Sequence, residues 1–490
     1  MGAFKKRRWI MPSVKNSFLY SCILTTANYI FPFILFPYVS RILGVENYGK
    51  CSFIDSIINY FILFSMMGGG IMGIREIAAH RNDRLRLISS FSNLFLLNLL
   101  VTCVAVVLLL CATFFVPYLS SYKELLYVGT LKLLFNVFLV EWLYKGLEEF
   151  RYITIRSISI RVLYLLSVFM FVRSATDYVV YFFLTSMVVV ANAIINCWYS
   201  RNFVRFSFQG LHLRKYMKPF FMLGVYLLLT SMYTSFNVTF LGFVSGDMQV
   251  GYYSTSVKLF NIILALFSAF TGVMLPRMSS FVEYGKMDEF KSMLYKSVDV
   301  LFCVSVPLVI FTVVMARPIV YLISGKEYED AVFLLQIVAP LILIIGYEQI
   351  LVMQALMPLK EDKAILKNSF MGALLGISLN VLLVPKWQSV GSSVCWLLSE
   401  TLILVLSQNF MSKEFKIHFP LRRFLGVLGG HILLVPFLYM VYCFWENDVW
   451  WQILVGGVAM GIYVIFVQLF FLRNSVVLSF ISKYGLKTRL

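Results

Sequence analysis

Residues 89–112 read Ser-Ser-Phe-Ser-Asn-Leu-Phe-Leu-Leu-Asn-Leu-Leu-Val-Thr-Cys-Val-Ala-Val-Val-Leu-Leu-Leu-Cys-Ala, a stretch of 24 positions without a charge. As a helix rising 1.5 Å per residue it is about 36 Å long, enough to cross a hydrocarbon layer of ~30 Å. A surface helix of a soluble domain would keep a polar face, and this segment has none to offer. Outward from it in both directions the pattern recurs. The chain of 490 residues is 60% hydrophobic, 17% aromatic and only 13% charged, with a mean hydropathy of +0.83. Soluble domains carry about 25% charge. A water-soluble globule is therefore excluded. So is a single anchor bearing a soluble payload, because no polar stretch exceeds about 20 residues before the next apolar run.

Apolar runs of membrane-crossing length number fourteen: 16–39, 50–71, 89–112, 123–145, 155–173, 177–199, 219–243, 252–275, 297–320, 331–356, 368–384, 390–410, 425–445 and 452–472. The fold class expected is an all-α polytopic membrane protein of about 14 transmembrane helices. The run that follows Lys5, Lys6, Arg7 and Arg8 is too long for a signal peptide and lacks a small-residue cleavage site, so it reads as a retained first span.

The net charge of +18 comes from 42 Lys and Arg against 24 Asp and Glu. Of the 42, 33 fall in the loops, or in the span ends next to them, that share a side with both termini, among them Arg75, Arg84, Arg86, Arg151, Arg156, Lys215 and Lys367, and seven fall on the other side. Positive loops stay in the cytoplasm. Both termini are thus expected there, and the basic balance reads as topology, leaving nucleic-acid binding without support. Eight cysteines, at 22, 51, 103, 111, 197, 303, 395 and 443, form no CxxC pair or Cys/His cluster, which points to no disulfide or metal site.

An internal repeat emerges when the second and eighth runs are aligned. Gly49, Ser52 and Asn59 recur as Gly251, Ser254 and Asn261, at the same point of a six-span count. Parallel repeats of this kind place a substrate path between two bundles. The domains expected are an N-lobe at 1–199 with helices 1–6, a cytoplasmic linker at 200–218, a C-lobe at 219–410 with helices 7–12, and two extra helices with a cytoplasmic tail at 411–490.

The stretch Pro37-Tyr38-Val39-Ser40-Arg41-Ile42-Leu43-Gly44, followed by Glu46, Tyr48 and Gly49, resembles the first outer loop of bacterial polysaccharide flippases of the multidrug/oligosaccharidyl-lipid/polysaccharide (MOP) exporter superfamily. Arg75-Glu76-Ile77-Ala78 is similar to that family's first inner loop, and Ser324-Gly325-Lys326-Glu327-Tyr328 with Ala331 to a later outer one. The resemblance implies a bacterial inner-membrane flippase that moves undecaprenyl-diphosphate-linked oligosaccharide repeat units, such as those of O-antigen, from the cytoplasmic to the periplasmic leaflet by alternating access. No catalytic cofactor is expected, the partners expected are the bilayer and a polysaccharide polymerase machinery, the two-lobed design needs no second copy to form its path, and coupling to H+ or Na+ would rest on the carboxyls of Glu400 and Glu348.

Few ionisable residues lie deep in the spans, where by default they face a bundle interior or a water-filled cavity. Lys132 and Lys258 do, and Asp55 stands one residue from the repeat position of Lys258. Asn59 and Asn261 each lie one turn on. Asp55 and Lys258 are therefore expected at similar depth, able to pair in one state and part in another; a static contact or snorkelling to the headgroups is the plainer alternative. A diphosphate needs cations, and Lys132, Lys258, Arg41 and Arg277 are the candidates, although the last two also suit interfacial anchoring. Glu400 and Glu348 are the acids nearest the midplane and are the candidates for ion coupling, against hydrogen bonding within the bundle as the alternative. Pro32 and Pro37 predict a bent first helix. Segments 277–296 and 475–487 read as amphipathic surface helices.

Three other functions compete with the flippase reading. Multidrug efflux shares the two-lobed design, but a cavity holding two lysines disfavours cationic drugs. A lipid II flippase would share the carrier lipid. A membrane glycosyltransferase or polymerase would need a catalytic loop, and the sequence has neither such a loop nor a phosphate-binding or nucleophile motif.

Overall fold

The computed structural model describes residues 14–208, 210–234, 236–446 and 448–471. Among the described residues every regular element is a helix. Among the described residues, helices long and apolar enough to cross a membrane number ten: Leu19–His80, Arg84–Phe115, Lys123–Gly146, Phe150–Phe171, Ala175–Ser200, Met287–Val314, Asp330–Leu356, Asp362–Glu414, Leu421–Phe444 and Val449–Phe471. The protein is an all-α polytopic membrane protein.

Two of these runs are too long to be single spans. As one straight helix, Asp362–Glu414 would extend roughly 80 Å, yet Gln388 breaks it with φ 49° and ψ −127°. The chain folds back at that point. Asn368 donates from Nδ2 to Ser407 Oγ at 3.0 Å, Gly372 packs on Ile403, Gly376 on Ser399, and Gly391 on the backbone of Leu383. These four contacts converge on Gln388 in the register of an antiparallel helical hairpin. In Val14–Met66 the break falls at Gly44, with φ 70° and ψ 176°. The Phe36 and Tyr48 rings, twelve residues apart, meet with centroids 5.4 Å from each other, so this run also turns back. Helical dihedrals continue through Pro32 and Pro37. The turn at Gly44 falls in the gap between the expected spans 16–39 and 50–71, and a glycine stands there because only glycine adopts this backbone region without a large steric cost.

Compactness divides the chain into residues 1–35 with 54–228, and residues 36–53 with 229–490. The first unit is held by a buried cluster that includes Leu94, Leu97, Trp142, Leu143, Tyr144 and Phe220. In the second, Met315 packs with Leu434, Leu438 and Val441, which seats the helices near the C-terminus against Met287–Val314.

The repeat seen in sequence reappears as backbone geometry inside the second unit. Gly246, the counterpart of Gly44, has φ 81° and ψ 178° and opens the helix Asp247–Glu283. A Cβ on Gly49 would lie 1.9 Å from the carbonyl oxygen of Asp247, and one on Gly251 would lie 2.2 Å from that of Val45. Val45 and Asp247 are themselves counterparts. The contact is thus reciprocal, with each helix start resting its backbone on the glycine of the other, as small residues allow in membrane helix packing.

Segment 277–296 is no separate surface helix: residues up to Glu283 continue the preceding helix and Met287 begins the next. Segment 475–487 and the basic cluster at residues 5–8 lie outside the described residues.

Candidate functional site

In the first unit the helix after Gly44 carries Asp55 and Asn59 one turn apart on one face, and Lys123–Asn136 presents Lys132 to both. Lys132 Nζ donates to Asp55 Oδ1 at 2.5 Å and to Asn59 Oδ1 at 3.3 Å. Asn59 Nδ2 donates to Asp55 Oδ2 at 3.0 Å. The lysine side chain is 15% exposed and the carboxylate 39%. Three candidate residues named separately from the sequence therefore form one cluster, with its charge balanced and its acidic edge open. Asp55 and Lys258 were expected to pair in one state and part in another; in this structure Lys132 holds the Asp55 carboxylate.

In the second unit Lys258 is half-buried, while Asn261 and Arg277 are exposed. The Arg277 guanidinium lies over the Phe281 ring at 5.7 Å. Arg41 donates to the carbonyls of Leu322 at 2.5 Å and Tyr321 at 3.3 Å. These carbonyls end the helix Ala316–Ile323, so Arg41 caps a helix C-terminus, a favoured place for a cation. Tyr328 reinforces the joint by donating its hydroxyl to Ser40 O at 3.1 Å.

Glu400 is 4% exposed. Trp396 Nε1 donates to its Oε1 at 3.0 Å, and the Glu348 carboxyl is near enough to interact with it electrostatically. Glu348 Oε2 is buried and has no hydrogen-bond partner among the described residues. The two acids nominated independently thus stand near one another in the bundle interior. Among the described residues no group of three or more His, Cys, Asp or Glu side chains is arranged to bind a metal.

Two polar networks escaped the sequence reading. Arg156, one of the cations counted as topology signal, is buried, with its side chain 3% exposed and 2.9 Å from Glu141 Oε1. It also donates to Asn196 Oδ1 and to Ser157 Oγ at 2.9 Å. Lys145 reaches the other Glu141 oxygen at 3.3 Å, and Tyr152 donates to Asn196 Oδ1 at 2.9 Å. The network forms where the helical run from Lys123 to Gly146 is broken by left-handed Val140, whose neighbour Leu139 offers its freed carbonyl to Asn196 Nδ2. The second network runs from Asn380 Nδ2 to Asn237 Oδ1 at 2.7 Å, and from Asn237 Nδ2 to the Tyr253 hydroxyl at 3.1 Å. Asparagines inside apolar runs were the available signal for both.

Residues 13–282 match the family described as polysaccharide biosynthesis protein. The chain is 23% identical over 406 residues to the putative O-antigen transporter of Escherichia coli K12, an alignment covering 81% of this chain and 97% of that protein. It is 25% identical over 412 residues to the putative O-antigen transporter of Shigella dysenteriae, covering 82% and 100%. Among solved structures it resembles the lipid II flippase MurJ in an inward closed conformation, with a TM-score of 0.78, 13% identity, and coverage of 94% of this chain and 100% of that one. It also resembles an outward-facing multidrug transporter of the MATE family, with a TM-score of 0.56, 11% identity and coverage of 84% and 97%. These structural likenesses share the fold. With the family match spanning more than half its length, the chain belongs to the polysaccharide biosynthesis protein family.

Proposed function

We propose that this protein flips undecaprenyl-diphosphate-linked oligosaccharide repeat units from the cytoplasmic to the periplasmic leaflet of the bacterial inner membrane, for surface polysaccharide synthesis. The observation that carries the reading is the Lys132–Asp55–Asn59 cluster. A lysine held among apolar helices by one carboxylate and one amide can exchange that carboxylate for a diphosphate oxygen without ever standing unpaired. Asn59 then serves either partner as a hydrogen-bonding neighbour. Lys258, Asn261, Arg41 and Arg277 remain the second set of candidate contacts for the diphosphate and its sugars.

The fourteen-span count belongs to this reading. The turns at Gly44 and Gln388 make two spans of each long run, and the helices around Pro219 and Gly251 supply two more. With fourteen, both termini are cytoplasmic, and spans 1–6 and 7–12 rock about the linker 200–218. Coupling enters at Glu348 and Glu400, where loss or gain of a proton changes the charge of a buried site. A polymerase machinery takes up the flipped product, and the monomer suffices for the path.

The test is transfer of a fluorescent undecaprenyl-diphosphate oligosaccharide between leaflets of liposomes containing the purified protein. Flipping by the native chain, lost in Lys132→Ala, is the expected result. Equal flipping of lipid II would shift the substrate to that lipid. Absence of flipping across several glycans and imposed ion gradients, together with extrusion of small amphiphiles, would assign efflux.

A further inference from the structure

One flank of the Arg156 network carries a groove apart from the Lys132–Asp55–Asn59 cluster. It lies between the helices Phe150–Phe171 and Tyr178–Ser200, entirely within the first unit, and has a volume of about 530 Å³. Glu149, Arg151, Tyr152 and Arg156 line one end, and Ile155, Leu163 and Ile195 line the rest. The polar end has a built floor. Tyr152 and Tyr199 stack with centroids 3.8 Å apart and planes 15° from parallel, and the Arg156 guanidinium stands 5.7 Å from the Tyr152 ring. Arg156 is buried, yet its Nε–H has no acceptor, and a buried donor without an acceptor is costly. Arg151 is exposed and makes no ion pair or side-chain hydrogen bond among the described residues.

From Arg151 to Leu163 the helix rises about 18 Å, and along that length the groove changes from cationic to apolar. Ile155 is 52% and Leu163 64% exposed. A molecule fitting this gradient has an anionic head and a long apolar tail, lying lengthwise along the helix. We propose that the groove binds one anionic phospholipid of the surrounding leaflet, with its phosphate on Arg151 and the Arg156 Nε–H and an acyl chain over Ile155 and Leu163. Basic pockets between membrane helices hold lipid head groups in this way. The charge count selects the head group. Arg151, Arg156 and Lys145, the last also bonded to Glu141, stand against Glu141 and Glu149 and leave one positive charge, so the site suits the single charge of a phosphodiester, and a phosphomonoester or diphosphate would carry charge left unmatched.

The test is photo-crosslinking of the full-length protein in vesicles of phosphatidylglycerol and phosphatidylcholine, with a trace of either lipid carrying a photoreactive acyl chain. Crosslinked peptides are then mapped by mass spectrometry. The phosphatidylglycerol probe is expected to label residues 151–163 and 195–199 several-fold more than the phosphatidylcholine probe. Arg151→Glu, whose exposed side chain supports no fold contact, is expected to reduce labelling to the phosphatidylcholine level, with labelling of other helices unchanged. Ser159→Trp, which fills the groove, should do the same. Equal labelling by the two probes, or full labelling in Arg151→Glu, would overturn the proposal. So would labelling that unlabelled undecaprenyl phosphate removes and excess phosphatidylglycerol does not, since that would assign the groove to the carrier lipid.

Discussion

Lys132 and Asp55 lie 77 residues apart in sequence and 2.5 Å apart in space, with Asn59 bonded to both. Neutralising either charge strands the other among apolar helices, at a cost of about 3–5 kcal/mol if the site were fully dry. The opening at Asp55 lowers that figure. Lys132→Ala is expected to abolish flipping, and Lys132→Arg to retain part of it. The double variant Asp55→Asn/Lys132→Met should fold more stably than either single variant yet fail to transport. Thermal unfolding in detergent, measured beside the leaflet-transfer assay, separates the structural share from the functional one.

At the reciprocal crossing, Gly49→Ala and Gly251→Ala each force a methyl group into a carbonyl oxygen. Overpacking of this kind costs about 1–3 kcal/mol, and both variants should melt earlier than the native protein. Gly70, with nothing within 4 Å of its would-be Cβ, is the control, and Gly70→Ala should leave the melting temperature unchanged or raise it.

The Glu348–Glu400 pair predicts a specific effect of amide substitution. Glu400→Gln keeps an acceptor for Trp396 while removing the exchangeable proton. Flipping driven by an imposed pH gradient is expected to lose its response to that gradient, with expression and unfolding temperature close to native. A gradient response that survives in both Glu400→Gln and Glu348→Gln would remove the pair from coupling.

Arg156 serves the architecture of the first unit. Arg156→Ala leaves Glu141 with Lys145 alone and Asn196 short of a donor, and should destabilise the protein by about 3–5 kcal/mol. Arg156→Lys, which can keep one contact, should fall between. Loss of yield or earlier melting is the readout.

Span positions were legible because a bilayer imposes length and apolarity on each helix regardless of its neighbours. Gly49 and Gly251 were legible as a repeat for a different reason: close backbone approach admits glycine alone, so the packing leaves its mark on residue identity. Asp55, Lys132, Glu348 and Glu400 could each be singled out, since a charge in an apolar run is costly wherever it points. Their pairing could not, because it depends on which helices become neighbours. Arg156 was misread as a loop charge because it stands near a span end, where a cation costs little, and only the breakage of the preceding helix at Val140 shows what holds it. The interruption at Gln388 falls in the gap expected between the runs 368–384 and 390–410, although no glycine marks it.

The seating of residues 36–53 in the second compact unit sets a timetable for synthesis. Gly49 leaves the ribosome almost 200 residues before Asp247, the group it packs against, a delay of about 10–40 s at 5–20 residues per second. During that interval the first helical hairpin is in the bilayer with a bare glycine seam and no native partner. An insertase or chaperone that shields this seam would shorten the list of wrong neighbours it can meet, and slowed translation between the two glycines should increase the dependence of folding on such help.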